Sequence, residues 1–131
     1  MSVEKFNPPE GPAPVGPYSQ LAVVPPDHRL LVLAGQVGVA ADGSLPDSLE
    51  TQFELALAHA LSIAASQGAG PADVVKLTYY LTERPADMSR FRAIIRSAFP
   101  GAPPASTLLI VAGLAAPQLK AEVDLVAAVK A

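Results

Sequence analysis

Apolar and polar positions alternate along DVVKLTYYLT, Asp73 to Thr82. Val75, Leu77, Tyr79 and Leu81 would share one face; Val74, Lys76, Thr78 and Tyr80 would share the other, the period of a strand. LKAEVDLVAAV alternates in the same way and predicts a closing strand at about 119–129. Its Lys120, Glu122 and Asp124 fall on one face, and Leu119, Ala121, Val123 and Leu125 on the other. The run LLVLAGQVGV, Leu30 to Val39, reads as an aliphatic strand in which Gly35 and Gly38 mark a bulge or a close backbone approach. Shorter strands are expected at Leu21–Val24, ended by Pro25 and Pro26, and at about 105–112.

Helical spacing takes over in two places. Leu49, Phe53, Leu57, Ala60, Leu61 and Ala64 form one apolar stripe of a helix over about 48–67. Gln52, His59, Ser62 and Ser66 take its other side. Asp47 with Glu50 resembles a capping box, and Gly68 and Gly70 end the helix. Asp87 is placed to cap a second helix over about 88–98, with Phe91, Ile94, Ile95 and Ala98 inward. Residues 1–17 are rich in proline and glycine and read as an extended, irregular arm. The order is β-β-α-β-α-β-β with hairpins at both ends: an α+β domain in which a mixed sheet carries two helices on one face. The other sheet face must then meet water or another subunit.

Composition narrows the choice. The 131 residues suit a single domain. Charged residues are 16% of the chain, against about 25% in an average soluble domain, which favours burial of surface in an oligomer. Twelve acidic residues against nine basic ones give a net charge of −3 and disfavour a nucleic-acid partner. The absence of cysteine excludes a disulfide framework, a thiolate nucleophile and a thiolate metal site. His28 falls in an expected turn and His59 on a helix face, without a third converging ligand, so no metal is expected. No signal-peptide core and no membrane-length apolar run stands in the sequence, and a cytoplasmic protein without membrane partners is expected. GQVG is neither a P-loop nor a dinucleotide fingerprint, and no G-x-S-x-G elbow surrounds Ser19, Ser106 or Thr107.

The charged face of the last strand has two readings. It is a solvated strand face with Lys120 beside Glu122, or one carboxylate lines a cleft and orients or deprotonates a water. Tyr18, alone, is a half-buried ring with its hydroxyl at the surface, and Arg92 a solvated helix charge.

The order of motifs adds to this. GPYSQ is followed by AGQVGV at a strand end, then DG, a helix starting near Thr51-Gln52, DVVK, a second helix, a Pro-rich loop before Ser106, and a closing K-x-E-V-D strand. From about Pro14 to Val129 this resembles the RidA/YjgF family, also labelled endoribonuclease L-PSP or Rid. The resemblance implies a chorismate-mutase-like fold, a homotrimer, small-molecule sites in clefts between subunits, and hydrolysis of reactive imines or enamines without a cofactor. It places the family's site tyrosine on Tyr18, its Gly-Gln on Gly35 and Gln36, and its water-associated glutamate on Glu122. The serine before Gly-Gln is Ala34 here, the site asparagine of the second helix is Arg92, and in PPAST Ala105 and Thr107 take the places of an arginine and a cysteine. Loss of a guanidinium that grips a carboxylate would weaken carboxylate binding by about 2–5 kcal/mol. Weak or no turnover of simple 2-imino acids is therefore expected, unless Arg92 supplies the charge. A non-catalytic, metabolite-binding trimer is the alternative, and a ribonuclease the least favoured.

Overall fold

The computed structural model describes residues 2–131. Its strands are β1 (Glu4–Phe6), β2 (Leu21–Val23), β3 (His28–Val32), β4 (Gln36–Val37), β5 (Val74–Leu81), β6 (Ala105–Ile110) and β7 (Ala121–Lys130). Its two α-helices are α1 (Leu49–Ala65) and α2 (Met88–Ala98). The main sheet runs β3-β7-β5-β6, with β4 also paired to β7. β5 and β6 are parallel and joined through α2; the other pairs are antiparallel. The mixed sheet with two helices on one face is as expected. None of the helices among the described residues is long and apolar enough to cross a membrane.

The alternation in β5 and β7 decides which side the helices cover. Leu77, Tyr79 and Leu81 are buried with Ala121, Val123 and Leu125 beneath Phe53, Ala56, Leu57, Ala60, Phe91 and Ile95. Phe53 stacks at 4.4 Å on Phe91 and meets Tyr79 edge-on at 5.2 Å, an aromatic centre in an otherwise aliphatic core. A register shift between Val74 and Lys76 alters the face assignment at the start of β5. Val74, not Val75, enters the core, because the bulge inserts one residue and reverses the alternation before it.

Several expectations are corrected. The arm is not irregular throughout: β1 lies within it and pairs with β2 as a separate two-stranded sheet. Neither terminal hairpin forms, since β2 pairs with β1 rather than β3, and β7 lies between β3 and β5 rather than beside β6. Hydrophobic runs mark strands but do not say which strand pairs with which. The strand expected at Leu30–Val39 is interrupted between Val32 and Gln36, and Gly38 packs so closely on α1 that a Cβ there would stand 2.1 Å from the Gln52 carbonyl oxygen. Ser48, not Asp47, caps α1: its hydroxyl accepts from the Thr51 amide at 3.1 Å. Glu50 turns instead to α2, where it accepts from the Asp87 amide at 3.2 Å. Asp87 caps α2 as expected, accepting from the Arg90 amide at 2.9 Å. Lys120 lies 3.7 Å from Glu83 rather than pairing with Glu122.

Gln52 is the largest departure. It was expected on the polar side of α1 but is 1% exposed. Its amide nitrogen donates to the Pro46 and Gln118 carbonyls, at 2.8 and 3.2 Å, and its oxygen accepts from the Lys120 amide at 2.8 Å. One side chain thereby satisfies three backbone groups and ties the entry to α1 to the start of β7. Its place on the buried stripe follows from spacing: it stands three residues after Leu49 and four before Ala56, both buried.

Candidate functional site

The helix-free face of the sheet carries Lys76, Thr78 and Tyr80 from β5, Glu122 and Asp124 from β7, and Thr107 and Leu109 from β6, as their pairing registers require. Tyr80 donates to the Asp124 carboxylate at 2.8 Å, and Lys76 to the Thr107 hydroxyl at 2.7 Å. At the far side of this face Leu30 and Val32 are 59% and 74% exposed, so an aliphatic strip adjoins the polar cluster.

Glu122 is half-buried and lies directly over Gly35: a Cβ on Gly35 would stand 2.0 Å from its Oε2. The missing side chain at Gly35 therefore makes room for this carboxylate. Ala34 and Gly35 are exposed beside it. Gln36 is set opposite Val123, while Val37 is set opposite Glu122, so Gln36 lies off the Glu122 face; its amide donates to the Ala34 carbonyl at 3.2 Å.

Tyr18 is at the other edge of the sheet. GPYSQ runs along the outside of β6 through a parallel bridge between Ser19 and Ala105. The Ser19 amide donates to the Pro104 carbonyl at 3.1 Å and its hydroxyl to the Pro103 carbonyl at 2.6 Å. The Tyr18 hydroxyl accepts from the Val15 amide at 3.3 Å. Between this segment, α2 and β6 lies a pocket of about 380 Å³, whose walls include Tyr18, Tyr79, Met88, Arg92, Ser106 and Thr107. Burial pushes the Tyr79 phenol pKa up, so the group is a neutral hydroxyl at physiological pH.

Within one chain the sequence-designated residues thus form two groups. Tyr18, Arg92, Ala105 and Thr107 lie at the β6 edge; Ala34, Gly35 and Glu122 lie by β7 and β4, with Gln36 nearby. Glu122 lies three strand spacings, about 14 Å, across the sheet from the Tyr18 segment, and four residues along β7 from Val126, which is level with Ala105. Arg92 lines the pocket but is not the cation nearest Ala105 in the sheet. That is Lys76, whose register partner is Ala105. The histidines hold backbone: His59 reaches the Val39 carbonyl at 2.7 Å and His28 the Pro26 carbonyl at 3.2 Å. Sequence reasoning missed Tyr79 and Met88 as pocket residues, because Tyr79 read as part of an apolar strand face and Met88 only as the start of a helix.

Comparison with known proteins gives this arrangement a family. The model of the family described as endoribonuclease L-PSP matches residues 9–129. The chain belongs to the Rid (endoribonuclease L-PSP) family. A solved structure of the conserved Rid-family protein YyfB from Yersinia pestis, described as of unknown function, is 32% identical with a TM-score of 0.87, covering 98% of this chain and all of that one. A Mycobacterium tuberculosis member of the YjgF/YER057c/UK114 family is 28% identical with a TM-score of 0.65, covering 86% of each chain. A RutC family protein of Aquifex aeolicus is 28% identical over 93 residues, 70% of this chain and 69% of its own. This Rid-family chain therefore has relatives along nearly its whole length, including one whose activity is itself open.

Proposed function

We propose that this Rid-family protein hydrolyses a reactive imine, enamine or related C–N bond in clefts between copies of the chain, three copies closing their helix-free sheet faces on one another. The observation that carries the reading is the Glu122 carboxylate seated over Gly35 on the uncovered face, which also carries the exposed Leu30 and Val32. A face with that aliphatic strip is stabilised by a second copy. A neighbour would also bring a Tyr18 edge to the Glu122 group, which one chain by itself holds too far away.

The chemistry needs few groups. Glu122 takes a proton from water as the water oxygen bonds to the carbon of a protonated imine, giving a carbinolamine. The proton returns to the nitrogen, Glu122 takes the carbinol hydroxyl proton as the C–N bond breaks, and a carbonyl compound and ammonia leave, the ammonia carrying that proton away as ammonium. An enamine enters the same path after protonation at carbon. Tyr18 hydrogen-bonds the substrate and, with the carboxylate, holds water and carbon in attack geometry. Ala105 offers no guanidinium, so neutral or differently anchored substrates are favoured over simple 2-imino acids.

Ammonia release from imines generated in situ, neutral and carboxylate-bearing, tests this. Turnover of neutral imines that is lost in Glu122→Gln supports it; no turnover of any imine refutes it. The lack of a substrate-gripping arginine at Ala105 also favours the second reading, a metabolite-binding trimer without chemistry. That reading predicts ligand-dependent thermal stabilisation with no ammonia release. RNA cleavage that co-purifies with the protein and is lost on Tyr18→Phe would favour a ribonuclease over both.

A further inference from the structure

One residue lining the pocket beside Tyr18 has a buried polar group without a partner. Tyr79 is 2% exposed, and its hydroxyl has no hydrogen-bond partner among the described residues. Nothing in the fold of the strand requires a tyrosine there. The ring already packs against Phe53 and Phe91, and phenylalanine would do the same without an unpaired hydroxyl. Buried hydroxyls that persist unpaired call for an explanation, and a ligand atom is one. The surrounding wall is apolar, with Val15, Met88, Phe91, Ile95 and Leu108, while the exposed Arg92 guanidinium brings charge to it from the solvent side.

We propose that Tyr79 is a specificity-determining residue: its hydroxyl donates to the acceptor at the inner end of an amphipathic anion whose apolar body fills this pocket and whose carboxylate lies at Arg92. The inference rests on the cleft reading above for its place in a reaction, since Tyr18 borders the same pocket. It narrows the ligand to small molecules with an apolar ring or chain between an anionic head and a terminal hydrogen-bond acceptor. Pockets of this size, mostly apolar with a few placed polar groups, are the usual form of small-molecule sites.

Two isosteric probes isolate the acceptor: 3-phenylpropanoate and 3-(pyridin-4-yl)propanoate. They differ by one ring C–H replaced by nitrogen, which is unprotonated at mildly alkaline pH. Calorimetric titration of the full chain should show the pyridyl probe bound about fivefold more tightly, the worth of one net hydrogen bond. Tyr79→Phe should bind both probes equally while keeping a thermal midpoint at or above that of the native chain. Arg92→Ala should weaken both by a similar factor. Binding of neither probe, or a pyridyl preference that survives Tyr79→Phe, would overturn the proposal. Because binding is read without turnover, a failed ammonia assay with an intact pyridyl preference would reject the hydrolase reading alone.

Discussion

Gly35→Ala moves Glu122 without deleting it. A Cβ at Gly35 would stand 2.0 Å from Oε2, 2.7 Å from Cδ and 3.0 Å from Cγ of Glu122. Carbon contacts are comfortable from about 3.5 Å, so the carboxylate must retreat by roughly 1.5 Å. The obstacle is the far end of a flexible side chain, and the cost is a rotamer adjustment of about 0.5–1.5 kcal/mol. For a domain of this size that lowers the thermal midpoint by no more than about 5 °C. The effect on catalysis is larger, because misplacing a reacting group by about 1 Å can cost about 100-fold in rate. Gly38→Ala is the control. Its Cβ would meet the backbone of α1, 2.1 Å from the Gln52 oxygen and 2.6 Å from the Gln52 Cα, which cannot yield without shifting the helix. Thermal denaturation and ammonia release on the imine panel separate the two variants. Gly35→Ala should stay folded and lose activity, and Gly38→Ala should lose stability. If Gly35→Ala releases ammonia within twofold of the native rate, or unfolds as readily as Gly38→Ala, the pairing of Gly35 with Glu122 is not what positions the carboxylate.

Gln52→Ala strands the Lys120 amide and the Pro46 and Gln118 carbonyls, and should cost about 3 kcal/mol or more in urea denaturation. Val32→Glu alters a side chain that is 74% exposed in the single chain, so it should change protomer stability by less than about 0.5 kcal/mol while shifting sedimentation toward monomer; an undisturbed trimer would refute an interface at this strip. Tyr80 donates to Asp124, and this hydrogen bond, with desolvation and the carboxylate's charge, raises its phenol pKa above the ordinary value near 10. A raised folded value means the stabilisation is complete below the unfolded pKa and lost as pH climbs through the folded one, so Tyr80→Phe should flatten this alkaline limb of the stability profile. A change confined to neutral or acid pH would contradict the assignment.

Local pattern determined much of this molecule. Period-2 alternation set Glu122 and Asp124 on one face of β7 and Val123 and Leu125 on the other, because side-chain direction in a strand needs no knowledge of its neighbours. The apolar stripe of α1 and the Asp87 cap of α2 were legible for the same reason. Gly35 and Gly38 stood out as close approaches, though not to what. Only the tertiary structure decided the partners. It placed β7 between β3 and β5, drew β1 out of the arm onto β2, put Gln52 inside as a backbone tie, and left the Tyr79 hydroxyl facing no acceptor. It also divided the site, holding Tyr18 at one edge of the sheet and Glu122 two strands inward from that edge strand's neighbour. Strand order and the contacts of one side chain with distant backbone depend on residues far apart in the chain, and hydrophobic periodicity, which encodes only the facing of each segment, does not carry them.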